Sequence, residues 1–224
     1  MPIDEQARLA ALRRYRILDT EPEQRFDDLT MLASQICDTP ISLITLIDSD
    51  RQWFKSRVGL DIAETSRSVS FCTHAIQQPD LMQVPDATSD PRFRDNPFVT
   101  GEPNVRFYAG AQLVTPDGHA LGTLCVIDVR PRHLSETQLR SLEALRRQAE
   151  AQLELRRNLD ELAVALAERA RGEAAQTAMI ADLRASLEKG EKLGALMPYC
   201  STCELNLVIP ATPESIPKVS EGLR

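Results

Sequence analysis

Apolar residues recur at helical spacing near the start of the chain. Leu9, Leu12 and Leu18 stand among Arg8, Arg13, Arg14 and Arg16, and the pattern stops near Asp19 and Thr20. Thr20, followed by Glu21, Pro22 and Glu23, carries the features of a helix start: a capping hydroxyl, an early proline and acidic residues at the positive end of the dipole. The second helix predicted there has a stripe of Phe26, Leu29, Leu32, Ala33 and Ile36, and ends before Pro40. The pattern then changes to strands. PISLITLID is apolar and rich in Ile and Thr, and Asp48, Ser49 and Asp50 make a turn into a partner strand at Arg51 to Val58, with Trp53 on one face and Phe54 and Val58 on the other.

Residues 60–69 are polar and read as loop, Ser70 caps a short helix over 70–78, and LMQVPDA offers a brief strand. Residues 86–104 are dense in Asp, Asn, Pro and Gly with Phe93, Phe98 and Val99 as large apolar anchors, which predicts a long, partly pinned loop and the best lid for a pocket. RFYAGAQLVTPDGHALGTLCVID is the strongest hairpin signal, with Thr115, Pro116, Asp117 and Gly118 at the turn. Its second arm is apolar on both faces, as a central covered strand requires. The expected architecture is a domain over 1–134 in which helices flank about five antiparallel strands.

From Ser135 to about Lys189 the chain loses proline and strand patterning and reads as one helix capped by Ser135. Leu145, Leu159, Leu166, Ile180 and Leu187 share a seven-residue register, broken by Gln152 and Glu173, and Leu155, Leu162 and Leu183 form a second line beside it. The gaps at Arg169 and Gln176 leave a single amphipathic helix folded back on its domain as the alternative. Some 54 residues rising about 1.5 Å each would give a helix of roughly 80 Å, too long for one domain to cover, so a parallel dimeric coiled coil over 135–190 is expected.

Composition narrows the function classes. Hydrophobic residues at 42% supply a core, while 26 basic against 33 acidic residues give a net charge of -7, which disfavours nucleic acid as a partner. No apolar run is long enough for a signal peptide or a membrane helix, and five cysteines make no disulfide framework, so a cytoplasmic protein with free thiols is expected.

The blocks LDTEPEQRFDDL, ISLITLIDSDRQWFKS, ETSRSVSFCTHAI, DPRFRDNPFVTG, VRFYAGAQL and GTLCVID, in this order over about residues 8–157, resemble a subgroup of GAF domains in bacterial signalling proteins. The resemblance implies an α/β (α+β) fold with an antiparallel sheet of five to six strands, flanking helices and a small-molecule pocket. It also implies a role in signal transduction rather than catalysis within this chain. Members sense cyclic nucleotides, bilins, haem, 2-oxoacids or redox state, so the fold cannot name the ligand.

The residues present discriminate among these ligand classes. Bilin attachment in the family has Cys directly followed by His, whereas Thr73 separates Cys72 from His74 and no Asp-Ile-Pro motif is present. Bilin and haem are therefore not expected. Nothing similar to the Asn-Lys-Phe-Asp-Glu signature of cyclic nucleotide binding occurs. Free methionine sulfoxide reductase, an enzyme with this fold, needs neighbouring cysteines, and Cys37, Cys72 and Cys125 are the candidates. Cys37 at a helix end and Cys125 inside an apolar strand read instead as small hydrophobes. Candidate pocket residues are Trp53, Phe54, Cys72, His74, Arg106, Phe107 and Tyr108, with ordinary sheet packing as the alternative.

After Gly190 the character changes again. Cys200 and Cys203 form a CxxC pair, half of a zinc site that two chains could complete together, or else a redox pair or ordinary thiols. ELNLVIPATPESIPKVSEGLR, within 191–224, resembles the first strand and helix of anti-sigma-factor serine kinases of the GHKL superfamily, without that family's ATP-binding boxes. The expected whole is a homodimeric sensor of an unidentified small molecule or of redox state, relaying to a downstream output domain beyond Arg224. A thiol redox enzyme and a pure dimerisation scaffold are the alternatives.

Overall fold

The computed structural model describes residues 4–195. Helix α1 (Glu5–Arg14) is capped by Asp4, whose carboxylate accepts from the Ala7 amide. Helix α2 (Gln24–Cys37) follows, then strands β1 (Ile41–Ile47), β2 (Arg51–Val58) and β3 (Glu64–Ser66), a 3-10 turn at Arg67–Val69 and helix α3 (Phe71–Ala75). Strand β4 (Met82–Val84), helix α4 (Pro97–Thr100), strands β5 (Phe107–Val114) and β6 (Ala120–Asp128) and helix α5 (Glu136–Ala195) complete the order. The six strands form one antiparallel sheet in the order β3-β2-β1-β6-β5-β4.

Central strands β1 and β6 are buried along their entire lengths, which explains their unbroken apolar character: both faces of the sheet are covered. One face, carrying Ile44, Leu46, Trp53, Phe107 and Val126, packs against α1, α2 and the first turns of α5. The opposite face, carrying Leu43, Phe54, Tyr108 and Cys125, packs against α3 and the segment from Ala87 to Val105. The 86–104 segment is shorter in loose chain than its composition predicts. Phe93 and Val99 are buried, Asn96 caps α4 through the Phe98 amide, and Asp86 accepts from the Thr88 amide and hydroxyl.

Two local expectations change. Helix α2 starts at Gln24, not at Thr20, because the Thr20 hydroxyl donates to the Ile17 carbonyl and accepts from Lys55 instead of capping. Its buried face is Phe26, Leu29, Thr30, Ala33 and Cys37, so Leu32 and Ile36 lie on the exposed side. Thr30 enters the core because its hydroxyl has partners there: the Asp27 carbonyl at 3.0 Å and Ser56 Oγ at 2.7 Å.

The change of pattern at 134 marks a change of secondary structure rather than of packing. The first compact unit extends through Ala167, because Leu142, Ala149 and Leu153 of α5 are buried in the same core as α1 and α2, and Leu145 packs partly against it. Ser135 caps α5 reciprocally with Gln138. Farther along, Arg156 donates to the Tyr15 carbonyl and pairs with Glu23, which also holds the buried ammonium of Lys55 at 2.7 Å. Around and beyond that clamp the helix turns apolar residues outward: Leu155, Leu159, Leu162 and Leu166 are 47%, 50%, 55% and 56% exposed. In the second unit, from Glu168, the described residues are helical to Ala195, past the expected end near Lys189, and Ile180, Leu183 and Leu187 are exposed.

Candidate functional site

On the face of the sheet opposite α1, α2 and α5, a cavity of about 60 Å³ lies between β1, β2, β5, β6 and α3. Phe54, Phe71, Tyr108 and Ile127 form much of its wall, Leu60 and Ile62 border it from the β2–β3 connection, and Phe98, Pro103 and Val105 border it from the segment expected to be a lid. Its polar lining is Gln52, Thr65, Ser70 and Cys72, and among the described residues no charged side chain borders it. Ser70 is positioned twice: its hydroxyl accepts from the Thr73 amide as the cap of α3 and donates to the Gln52 side-chain carbonyl.

Three of the seven candidate pocket residues, Phe54, Cys72 and Tyr108, border this cavity. Trp53 and Phe107 do not, because alternate strand residues point to opposite faces and both belong to the helix-side core. His74 packs edge-on to Phe93 at 4.9 Å, outside the lining, and burial together with Arg92 lowers its pKa. Arg106 donates to the carbonyls of Val99 and Val105 and so holds the segment beside the cavity rather than lining it. The period-two alternation that already sets Trp53 and Phe54 on opposite faces, applied to the choice of pocket residues, would have removed Trp53, separated Phe107 from Tyr108 and added Gln52, two positions before Phe54.

At the inner end of the cavity the structure brings together residues from four elements. Cys72 Sγ of α3 lies 3.9 Å from Cys125 Sγ of β6 and accepts from the Tyr108 hydroxyl of β5 at 3.3 Å. Next to them Thr45 of β1 and Thr123 of β6 are paired through their hydroxyls at 3.2 Å. Burial pushes the Cys72 thiol up, but hydrogen bonds from Cys125, Thr123, Thr45 and Tyr108 outweigh it and hold the thiol below its ordinary range. The same burial, with Cys72 beside it, pushes Cys125 well above the usual thiol range, and Tyr108 is likewise raised. Two thiols in contact do not both ionise, so the pair carries at most one thiolate. No motif announced this cluster, since its members are scattered from 45 to 125 and meet only through strand order.

Cys37 is set apart from these thiols. It ends α2 on the helix side of the sheet, and burial pushes its thiol up to about 11. Cys200 and Cys203 lie outside the described residues. Among the described residues no group of three or more His, Cys, Asp or Glu is arranged to hold a metal ion, and no helix is long and apolar enough to cross a membrane.

The chain is 47% identical over 143 residues to a cyclic di-GMP phosphodiesterase of Pseudomonas aeruginosa, a match covering 63% of this chain and 24% of that protein. Among solved structures it is similar to the GAF domain of a phosphoenolpyruvate-protein phosphotransferase from Coxiella burnetii, with a TM-score of 0.51 at 13% identity, covering 71% of this chain and 99% of that one. It is also similar to free methionine-R-sulfoxide reductase from Neisseria meningitidis, with a TM-score of 0.50 at 16% identity, covering 70% and 95%. These two likenesses concern the fold alone. The GAF domain family model matches residues 21–153, more than half of the chain, which therefore belongs to the GAF domain family.

Proposed function

We propose that this chain is the sensory part of a signalling protein, which receives a small molecule in the sheet-face cavity and passes the change along α5 to an output domain. The observation that carries this reading is the double use of α5. Leu142, Ala149 and Leu153 belong to the domain core, whereas Leu155, Leu159, Leu162 and Leu166 expose a two-line leucine stripe of the kind a second helix covers. A displacement in the domain is thereby coupled to the seam of a helix pair, which can shift between two packings.

The Pseudomonas relative belongs to second-messenger signalling by its name, and the match spans 24% of it. This supports a regulatory input role for the shared region and places cyclic di-GMP turnover beside a serine kinase among the output activities to test. The cavity itself is too small and too uncharged for a cyclic dinucleotide. It also has no counter-charges for the ammonium and carboxylate of free methionine sulfoxide, so the reductase reading gains support from fold alone.

Sedimentation and native mass spectrometry of the full chain test the proposal. A dimer is expected, converted to a monomer by Leu159→Asp with Leu166→Asp while the thermal unfolding of the domain is preserved. A monomeric parent chain would refute the relay through paired helices. The same spectra read any retained small molecule and any zinc held by Cys200 and Cys203.

A further inference from the structure

We propose that Cys72 and Cys125 are a peroxide-reactive thiol pair: a small, neutral hydroperoxide enters the apolar cavity, oxidises Cys72, and Cys125 then closes a disulfide between α3 and β6. The sulfurs are 3.9 Å apart, so a disulfide of about 2.05 Å requires them to close by roughly 2 Å.

Access decides the roles. Cys72 borders the cavity, while Cys125, 3.9 Å from it, is not part of the lining. Cys72 is therefore the thiol that an entering molecule meets and Cys125 the one that resolves. Cys37 is on the other side of the sheet and cannot substitute for either. Most buried cysteines are inert because apolar surroundings disfavour the thiolate. Cys72 differs in having the Tyr108 hydroxyl 3.3 Å from its sulfur and the Thr45 and Thr123 hydroxyls close by.

The cavity selects the oxidant. At about 60 Å³ it holds a molecule of few heavy atoms, well below the roughly 150 Å³ that accommodates a benzene ring. Without a charged lining residue it offers nothing to an ionic reagent. Hydrogen peroxide satisfies both conditions.

The chemistry balances in two steps. The Cys72 thiolate attacks one peroxide oxygen, an S–O bond forms as the O–O bond breaks, and the departing hydroxide takes up the proton given up by Cys72 to become water. Cys125 then attacks the sulfenic sulfur, the S–S bond forms, and the sulfenic hydroxyl leaves with the Cys125 proton as a second water. The two thiols supply the two electrons that reduce one peroxide to two waters. The product has a structural consequence. Phe71, adjacent to Cys72, stacks on Phe93 at 4.1 Å and on Tyr108 at 5.4 Å, so tying α3 to β6 pulls on the segment that borders the cavity. This reaction needs neither a paired helix nor an output domain, and it stands whether or not the sensor reading does.

The test treats the reduced full chain with hydrogen peroxide under native conditions, blocks remaining thiols with N-ethylmaleimide and maps tryptic peptides by mass spectrometry. The expected result is a cross-link between peptides 68–92 and 107–132, two hydrogens lighter than the reduced pair, with both thiols lost to alkylation together. Glutathione disulfide and free methionine sulfoxide, bulky and charged, should oxidise the pair at least roughly tenfold more slowly. In Cys125→Ala the reaction should stop at a Cys72 sulfenic acid that dimedone captures. If that variant fails to fold, dimedone added to the parent chain should lower the cross-link yield instead. Thiols that stay fully alkylatable after peroxide, a Cys72 cross-link to any other cysteine, or equal rates with glutathione disulfide would each overturn the proposal.

Discussion

Arg8 illustrates how much a single residue can ask of its neighbours. Its side chain is fully buried, and a bidentate Glu5 carboxylate at 2.8 Å supplies the opposite charge, with Arg67 on the same carboxylate. The hydrogen bond from Arg8, with that from Arg67, holds Glu5 at about 2 against the upward push of burial. A carboxylate depressed in the folded state stabilises above its unfolded value near 4.5, and that contribution is lost as pH falls from there to about 2. Glu5→Gln should therefore cost about 2 kcal/mol at pH 7, below the roughly 3–5 kcal/mol for breaking a fully buried pair because Glu5 is partly exposed and solvent screens it. Denaturant melts should show the difference from the parent chain shrinking as pH is lowered from 5 to 2. A penalty unchanged over that range would rule out the ion pair as its cause.

At the scale of elements, β5 shows how a strand prepares the site. Tyr108 faces the cavity, and Gly110, next on the same face, leaves room for its ring: a Cβ there would sit 2.1 Å from the Tyr108 hydroxyl. Gly110→Ala should destabilise the chain by about 1–3 kcal/mol, as overpacking does, and displace the donor that Tyr108 presents to Cys72. Equilibrium denaturation reads the first effect and the rate of Cys72 alkylation the second; a variant unchanged in both would show that the glycine has no such role. Elements were legible in the sequence where local chemistry agreed with burial. Ser70 and Ser135 cap as expected, and the Thr115–Gly118 turn closes the β5–β6 hairpin. The start of α2 was not legible, because Thr20 suits a cap locally but is engaged by Lys55, 35 residues away.

For the whole molecule, the decisive fact is that α5 belongs to the core before it becomes anything else. A chain ending at 134 should not fold, whereas one ending at 167 should. Removing Leu142 and Leu153 alone forfeits contacts worth about 2–5 kcal/mol each, comparable to the roughly 5–15 kcal/mol that holds a domain together. Circular dichroism with a cooperative melt distinguishes the two, and a stably folded 1–134 fragment would contradict this account of the boundary.

The sequence by itself determined the longer periodicities: which long segments are helix or strand, which strands are covered on both faces, and where a leucine register runs; the three-residue β3 and four-residue α4, too short to show a period, lie in segments that read as loop. It also held the blocks that resemble the GAF family, which the family match bears out. It could not determine which side of the sheet each aromatic faces relative to the cavity, nor that Cys72 and Cys125 meet. Period and propensity act over a few residues, whereas the cavity and its thiol pair depend on the strand order that sets β6 between β1 and β5 and lays α3 across them. That order results from burying both faces of one sheet, and only the folded chain specifies it.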